Sequence, residues 1–73
     1  MKNIEAGALV IINETFTEFG LWRYYKSLYE GDLGVVIGTW NDDAINSDVF
    51  SVYFGKASAI ETLHVDYLSN VID

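Results

Sequence analysis

The chain has no cysteine and no proline. Without cysteine it can form neither a disulfide nor a thiolate metal site, the two staples common in very small domains. Bases are scarce: Lys2, Arg23, Lys26 and Lys56 stand against eleven acids, for a net charge of -7. Nucleic-acid backbones and anionic membranes are both bound through lysine and arginine, so direct contact with DNA, RNA or a bilayer surface is disfavoured. Long hydrophobic runs are missing too. The longest clean one, Ala8-Leu9-Val10-Ile11-Ile12, falls far short of the ~20 residues a membrane helix needs. The start, Met1-Lys2-Asn3-Ile4-Glu5, lacks the apolar stretch of a signal peptide. A cytoplasmic protein is expected.

What the chain does have is apolar and aromatic side chains. At 73 residues it allows one domain, 1–73, of a size that buries only roughly 60% of its unfolded surface. A hydrophobic fraction of 51% and an aromatic fraction of 15% exclude disorder as the main state. Burial must supply the stability, with self-association as the available supplement.

Short apolar runs separated by turn residues predict a small all-β unit. Ala8 to Ile12 suits a buried strand. Glu14 to Glu30 reads as a long loop with one helical turn near Tyr24 to Leu28, where Leu21, Tyr24, Tyr25 and Leu28 share a helical spacing. Gly31-Asp32-Leu33-Gly34 is a turn leading into a strand from Val35 to Trp40. A polar loop, Asn41 to Ser47, follows. In the strand Asp48 to Phe54, the alternation of Phe50, Val52 and Phe54 with Ser51 and Tyr53 sends the first three to the core. Gly55-Lys56-Ala57 makes a hairpin turn. Ser58 to Leu63 is a strand with Ile60 inward and Glu61 outward. Val65 to Leu68 is a single 3-10 turn, and Asn70-Val71-Ile72 closes the chain as a fifth strand. A closed or nearly closed five-stranded barrel would remove the sheet edges.

That order of elements resembles the SH3-like barrel, with the long loop between strands 1 and 2 and the 3-10 turn before the last strand. Gly7, Gly31 through Val36, Phe50-Ser51-Val52-Tyr53-Phe54, His64 and Leu68-Ser69-Asn70-Val71-Ile72 are similar to the pattern of very small SH3-like proteins of tailed bacteriophages, cyanobacterial phages among them. Ala8 stands where that pattern often has aspartate, and the stretch from Trp22 to Tyr29 is heavier in aromatics. The resemblance implies a virus-encoded protein in the host cytoplasm, and most such proteins have no known function. Signalling SH3 domains are less similar: their paired-tyrosine motif and 3-10 proline have no counterpart here, so recognition of proline-rich peptides is not expected.

Chemistry finds few footholds. His64 is the only histidine, and a hydrogen-bonded position at the barrel rim accounts for it better than a general base or metal ligand does. Asn41, Asp42, Asp43, Asn46 and Asp48 do not match calcium-loop spacing and read as a solvated loop. Eleven acids make chance carboxylate pairs inevitable, yet a small barrel is filled by its own side chains and leaves no substrate pocket. Gly31 and Gly34 lack the lysine and length of a phosphate loop. No enzyme, cofactor or metal is expected.

The aromatic group Trp22, Tyr24, Tyr25, Tyr29, Trp40 and Tyr53 is the candidate site. Tryptophan and tyrosine dominate interface hot spots. Two readings stand side by side: a contact surface for a protein partner, or a secondary core under the long loop. The leading expectation is a non-catalytic protein-binding module. Its alternatives are an acidic inhibitor of a basic nucleic-acid-binding host protein, and a structural virion or homo-oligomeric component.

Overall fold

The computed structural model describes residues 4–44 and 47–71, with the backbone alone for Asp42 and Ser47. Five strands form one antiparallel sheet: β1 (Leu9–Ile12), β2 (Leu33–Asp42), β3 (Ser47–Phe54), β4 (Ala59–His64) and β5 (Leu68–Asn70). Their order across the sheet is β4-β3-β2-β1-β5. One helix, α1 (Glu14–Glu18), and two 3-10 turns, Leu21–Arg23 and Val65–Tyr67, complete the fold. The protein is all-β, as the turn spacing predicts. The sheet is open, with β4 and β5 as its outer members; the predicted closure into a barrel is not seen among the described residues.

One face of the sheet carries the core. Phe50, Val52 and Phe54 of β3 all point into it, as their alternation predicts, and Val10, Ile12, Val36, Leu63 and Leu68 join them. Phe16 of α1 and Leu28 of the long connection lie over this layer and are fully buried. Each such side chain contributes roughly 1.5–3 kcal/mol by leaving water. Gly34 is set by packing rather than by backbone conformation. A Cβ there would sit 2.5 Å from Val52 Cγ1 and 2.9 Å from the Phe54 ring, so only glycine lets β2 lie this close to the two core side chains. Two residues further on, the register between β2 and β3 shifts between Val36 and Gly38. Ile37 is the extra residue of a β-bulge, which kinks the strand and sharpens its twist.

The structure corrects several expectations. Ile60 is 60% exposed, whereas Leu63 is fully buried. Glu61 is paired with core-facing Val52, and Ile60 with Tyr53 on the opposite face. Burial of Leu63 fixes which alternate positions of β4 turn inward, and Ile60 has the wrong parity. The helix lies at Glu14–Glu18, not near Tyr24 to Leu28. Asn13 starts it: its side-chain oxygen accepts from the Thr15 N–H at 3.0 Å, an N-cap. The turn before β2 ends at Asp32, because Leu33 and Gly34 already pair with Ile11 and Val10. The hairpin turn extends to Ser58, which takes a left-handed φ of 52°. The last strand comes earlier than predicted, since Leu68 pairs with Ile12 directly after the 3-10 turn. In the predicted polar loop, Ile45 and Asn46 lie outside the described residues, as does Ile72.

Candidate functional site

The long connection between β1 and β2 is an ordered strap rather than a bare loop. At its start, Asn13 caps α1 and also donates from Nδ2 to the Asp66 carbonyl (2.9 Å) and Ser69 Oγ (3.2 Å). At its end, Gly31, with φ at +91°, donates to the Ile12 carbonyl at 2.8 Å. Asp32 is buried and accepts from the Tyr29 N–H at 3.1 Å, while Lys56 Nζ lies 3.6 Å from its other oxygen. The strap is thus anchored to β5 and the second 3-10 turn at one end, and to the β3–β4 turn at the other.

On this strap the predicted aromatic group separates into three. Trp22, Tyr24 and Tyr29 project into solvent, at 48%, 80% and 57% exposure. Arg23 stacks over the Trp22 ring at 5.2 Å, and Lys56 over the Tyr29 ring at 5.7 Å. These cation–π contacts place positive charge beside the exposed rings of an acidic protein. Tyr25 belongs with the core. Its ring packs on Phe16 at 6.1 Å, and its hydroxyl donates to the Thr62 carbonyl of β4 at 2.8 Å. Burial raises the Tyr25 pKa above its usual 10.0, with smaller contributions from Glu61 and Tyr67. The secondary-core reading therefore applies to Tyr25, while Trp22, Tyr24 and Tyr29 stay outside the core. The third group, Trp40 and Tyr53, sits on the sheet face away from the core, half-exposed.

A second aromatic cluster was not singled out from the sequence. Tyr67, in the second 3-10 turn, meets Phe16, Phe19 and His64 edge-on at 6.1–6.4 Å. Phe19 remains 67% exposed. His64 thus has an aromatic neighbour at the end of β4, and the only hint in the sequence was its nearness to Tyr67. Among the described residues, no three of histidine, cysteine, aspartate and glutamate gather as a metal ion would require. In the polar loop, Asn41 Nδ2 donates to Asp48 across the β2–β3 pair at 3.2 Å.

The outer face of the sheet is also apolar. One row crosses four strands and continues to the residue just past β5: Val71 donates its N–H to the Leu9 carbonyl, Leu9 pairs with Val35, Val35 with Tyr53, and Tyr53 with Ile60. Each of these side chains is 39–60% exposed. Among the described residues, no helix is long and apolar enough to cross a membrane. No family model, curated protein or solved structure matches this chain.

Proposed function

We propose that this chain is a phage-type SH3-like protein that works in the host cytoplasm as a non-catalytic binding module for a phage or host protein. The carrying observation is the solvent exposure of Trp22, Tyr24 and Tyr29 on a strap that is itself firmly anchored. Rigid aromatic side chains on a held backbone lose little entropy on binding, which is the economy of an interface anchor. The strand order β4-β3-β2-β1-β5 and the 3-10 turn before β5 support the SH3-like reading, since that fold also places its last strand beside its first.

The test is co-purification of partners from infected cells by the full chain and by Trp22→Ala and Tyr24→Ala variants. Partner recovery should fall at least tenfold while the thermal melt stays within a few degrees of wild type. Undiminished recovery by both variants rejects the strap as the contact surface. A second reading, an acidic decoy for a basic nucleic-acid-binding surface, draws on the net charge of -7. Partner binding that collapses with added salt favours the decoy; binding that tolerates salt favours aromatic anchoring.

A further inference from the structure

Tyr29, at the far end of the strap, is exposed and yet held. Its side chain stands in solvent at 57% exposure, but both polar groups of its backbone are taken by one residue, Asp32. The Tyr29 N–H donates to Asp32 Oδ2 at 3.1 Å, and the Tyr29 carbonyl accepts from the Asp32 N–H at 3.0 Å. Asp32 is fixed in turn by β1, because its carbonyl accepts from the Ile12 N–H at 3.0 Å. What freedom Tyr29 keeps lies in the two torsions of its side chain.

The second carboxylate oxygen of Asp32 faces the β3–β4 turn. Asp32 Oδ1 lies 3.6 Å from Lys56 Nζ, and the same ammonium sits 5.7 Å from the centre of the Tyr29 ring. The two ends of this ion pair differ. The Lys56 side chain is 74% exposed, and that of Asp32 only 7%. A lysine beside an exposed acid gains little and moves freely. A buried carboxylate has lost its water, and leaving it without a cation is strongly unfavourable. Asp32 therefore tethers Lys56, and the tether keeps a positive charge beside the face of the ring, where the quadrupole attracts it.

We propose that Lys56 is a positioning residue for Tyr29: tethered by Asp32, its ammonium holds the ring in one orientation, so the β3–β4 turn sets how the strap presents this side chain. The proposal rests on the reading of the strap as a contact surface and adds to it a residue from outside the strap. A partner meets a ring that is already oriented, and binding does not have to order it. Loss of the ammonium should weaken partner binding about two- to tenfold, the range that ordering one such side chain costs.

Three substitutions separate charge from shape. Lys56→Met removes the ammonium and keeps an unbranched stem. Lys56→Arg keeps the charge and stacks on aromatic faces. Asp32→Asn keeps an oxygen to accept from the Tyr29 N–H and removes the charge that tethers Lys56.

Nuclear magnetic resonance of the full chain, free in solution, tests the device without any partner. Overhauser contacts should join the Lys56 side chain to the Tyr29 ring protons and weaken in Asp32→Asn. Relaxation of a carbon-13-labelled Tyr29 ring should show greater mobility in Lys56→Met and in Asp32→Asn, and wild-type order in Lys56→Arg. The double variant of Met and Asn should be no more mobile than either single one, because both remove the same link. A merely structural ion pair would lower the thermal melt of Lys56→Met while leaving the ring of the folded protein as ordered as before. Unchanged ring mobility in Lys56→Met therefore overturns the proposal, and so does a ring as mobile in Lys56→Arg as in Lys56→Met.

Co-purification from infected cells then separates this proposal from the reading it rests on. Lys56→Met should recover about two- to tenfold less partner, and Lys56→Arg the wild-type amount. If Tyr29→Ala lowers recovery and Lys56→Met does not, the positioning role fails and the strap surface stands. If Tyr29→Ala also recovers the wild-type amount, the strap reading itself fails at Tyr29, and the positioning role falls with it.

Discussion

The Tyr25 hydroxyl donates to the Thr62 carbonyl at 2.8 Å, which ties the strap to β4, one of the two edge strands of the sheet. An open edge exposes backbone groups to pairing with other chains. Tyr25 occupies one of them, so its role is to hold the strap and blunt the edge.

Tyr25→Phe keeps the ring against Phe16 and removes only that hydrogen bond. It should cost about 1 kcal/mol, read by urea unfolding. The wild type should also lose stability as pH climbs past 10.0, the unfolded pKa of tyrosine. The folded pKa is raised, so between the two values the unfolded chain releases the proton first and unfolding gains. The contribution is fully present below the unfolded value and gone once pH exceeds the folded one. Tyr25→Phe should show a shallower alkaline decline than wild type.

Leu63 and Ile60 lie three residues apart on β4 with opposite fates. Leu63→Ala should destabilise by about 2–5 kcal/mol. Ile60→Thr should stay within about 0.5 kcal/mol. Equal losses at both positions would contradict the register.

Gly34→Ala drives a methyl group into Val52 and Phe54. The two core side chains and the strand must separate, at a cost of about 1–3 kcal/mol. A thermal melt that does not fall would place β2 further from the core than described.

Asn13 has two jobs that substitutions can separate. Asn13→Asp keeps the oxygen that caps α1 but loses the Nδ2 donations to Asp66 and Ser69. Asn13→Ala loses both and should cost about 2 kcal/mol in total, with Asn13→Asp intermediate. Chemical denaturation of the three proteins checks the order.

The parts of this fold visible in the sequence are those set by local pattern. Phe50, Val52 and Phe54 alternate without interruption, and the four residues Val65 to Leu68, too short for a helix, hold the 3-10 turn Val65–Tyr67. The failures arise where distant pairing decides. In β4 the most conspicuous apolar residue is Ile60, but the register with β3 and the burial of Leu63 select the other face. In α1 the apolar signal is Phe16 alone, so its start rested on the cap at Asn13. The candidate aromatics looked alike as a group. Only the geometry of Thr62 and Phe16 draws Tyr25 inward while Trp22 and Tyr24 stay outside. The row from Val71 to Ile60 needs four inter-strand registers at once, which no local window contains.

Asn13 holds Asp66 and Ser69 across 53 and 56 positions of sequence, and β1 has β5 as one of its two neighbours. During synthesis the strap therefore cannot seat until residues 66 to 70 have left the ribosome. A nascent chain halted before that point would leave a side of β1 and the Asn13 donors without their native partners, an opening for chaperones that the finished protein no longer offers.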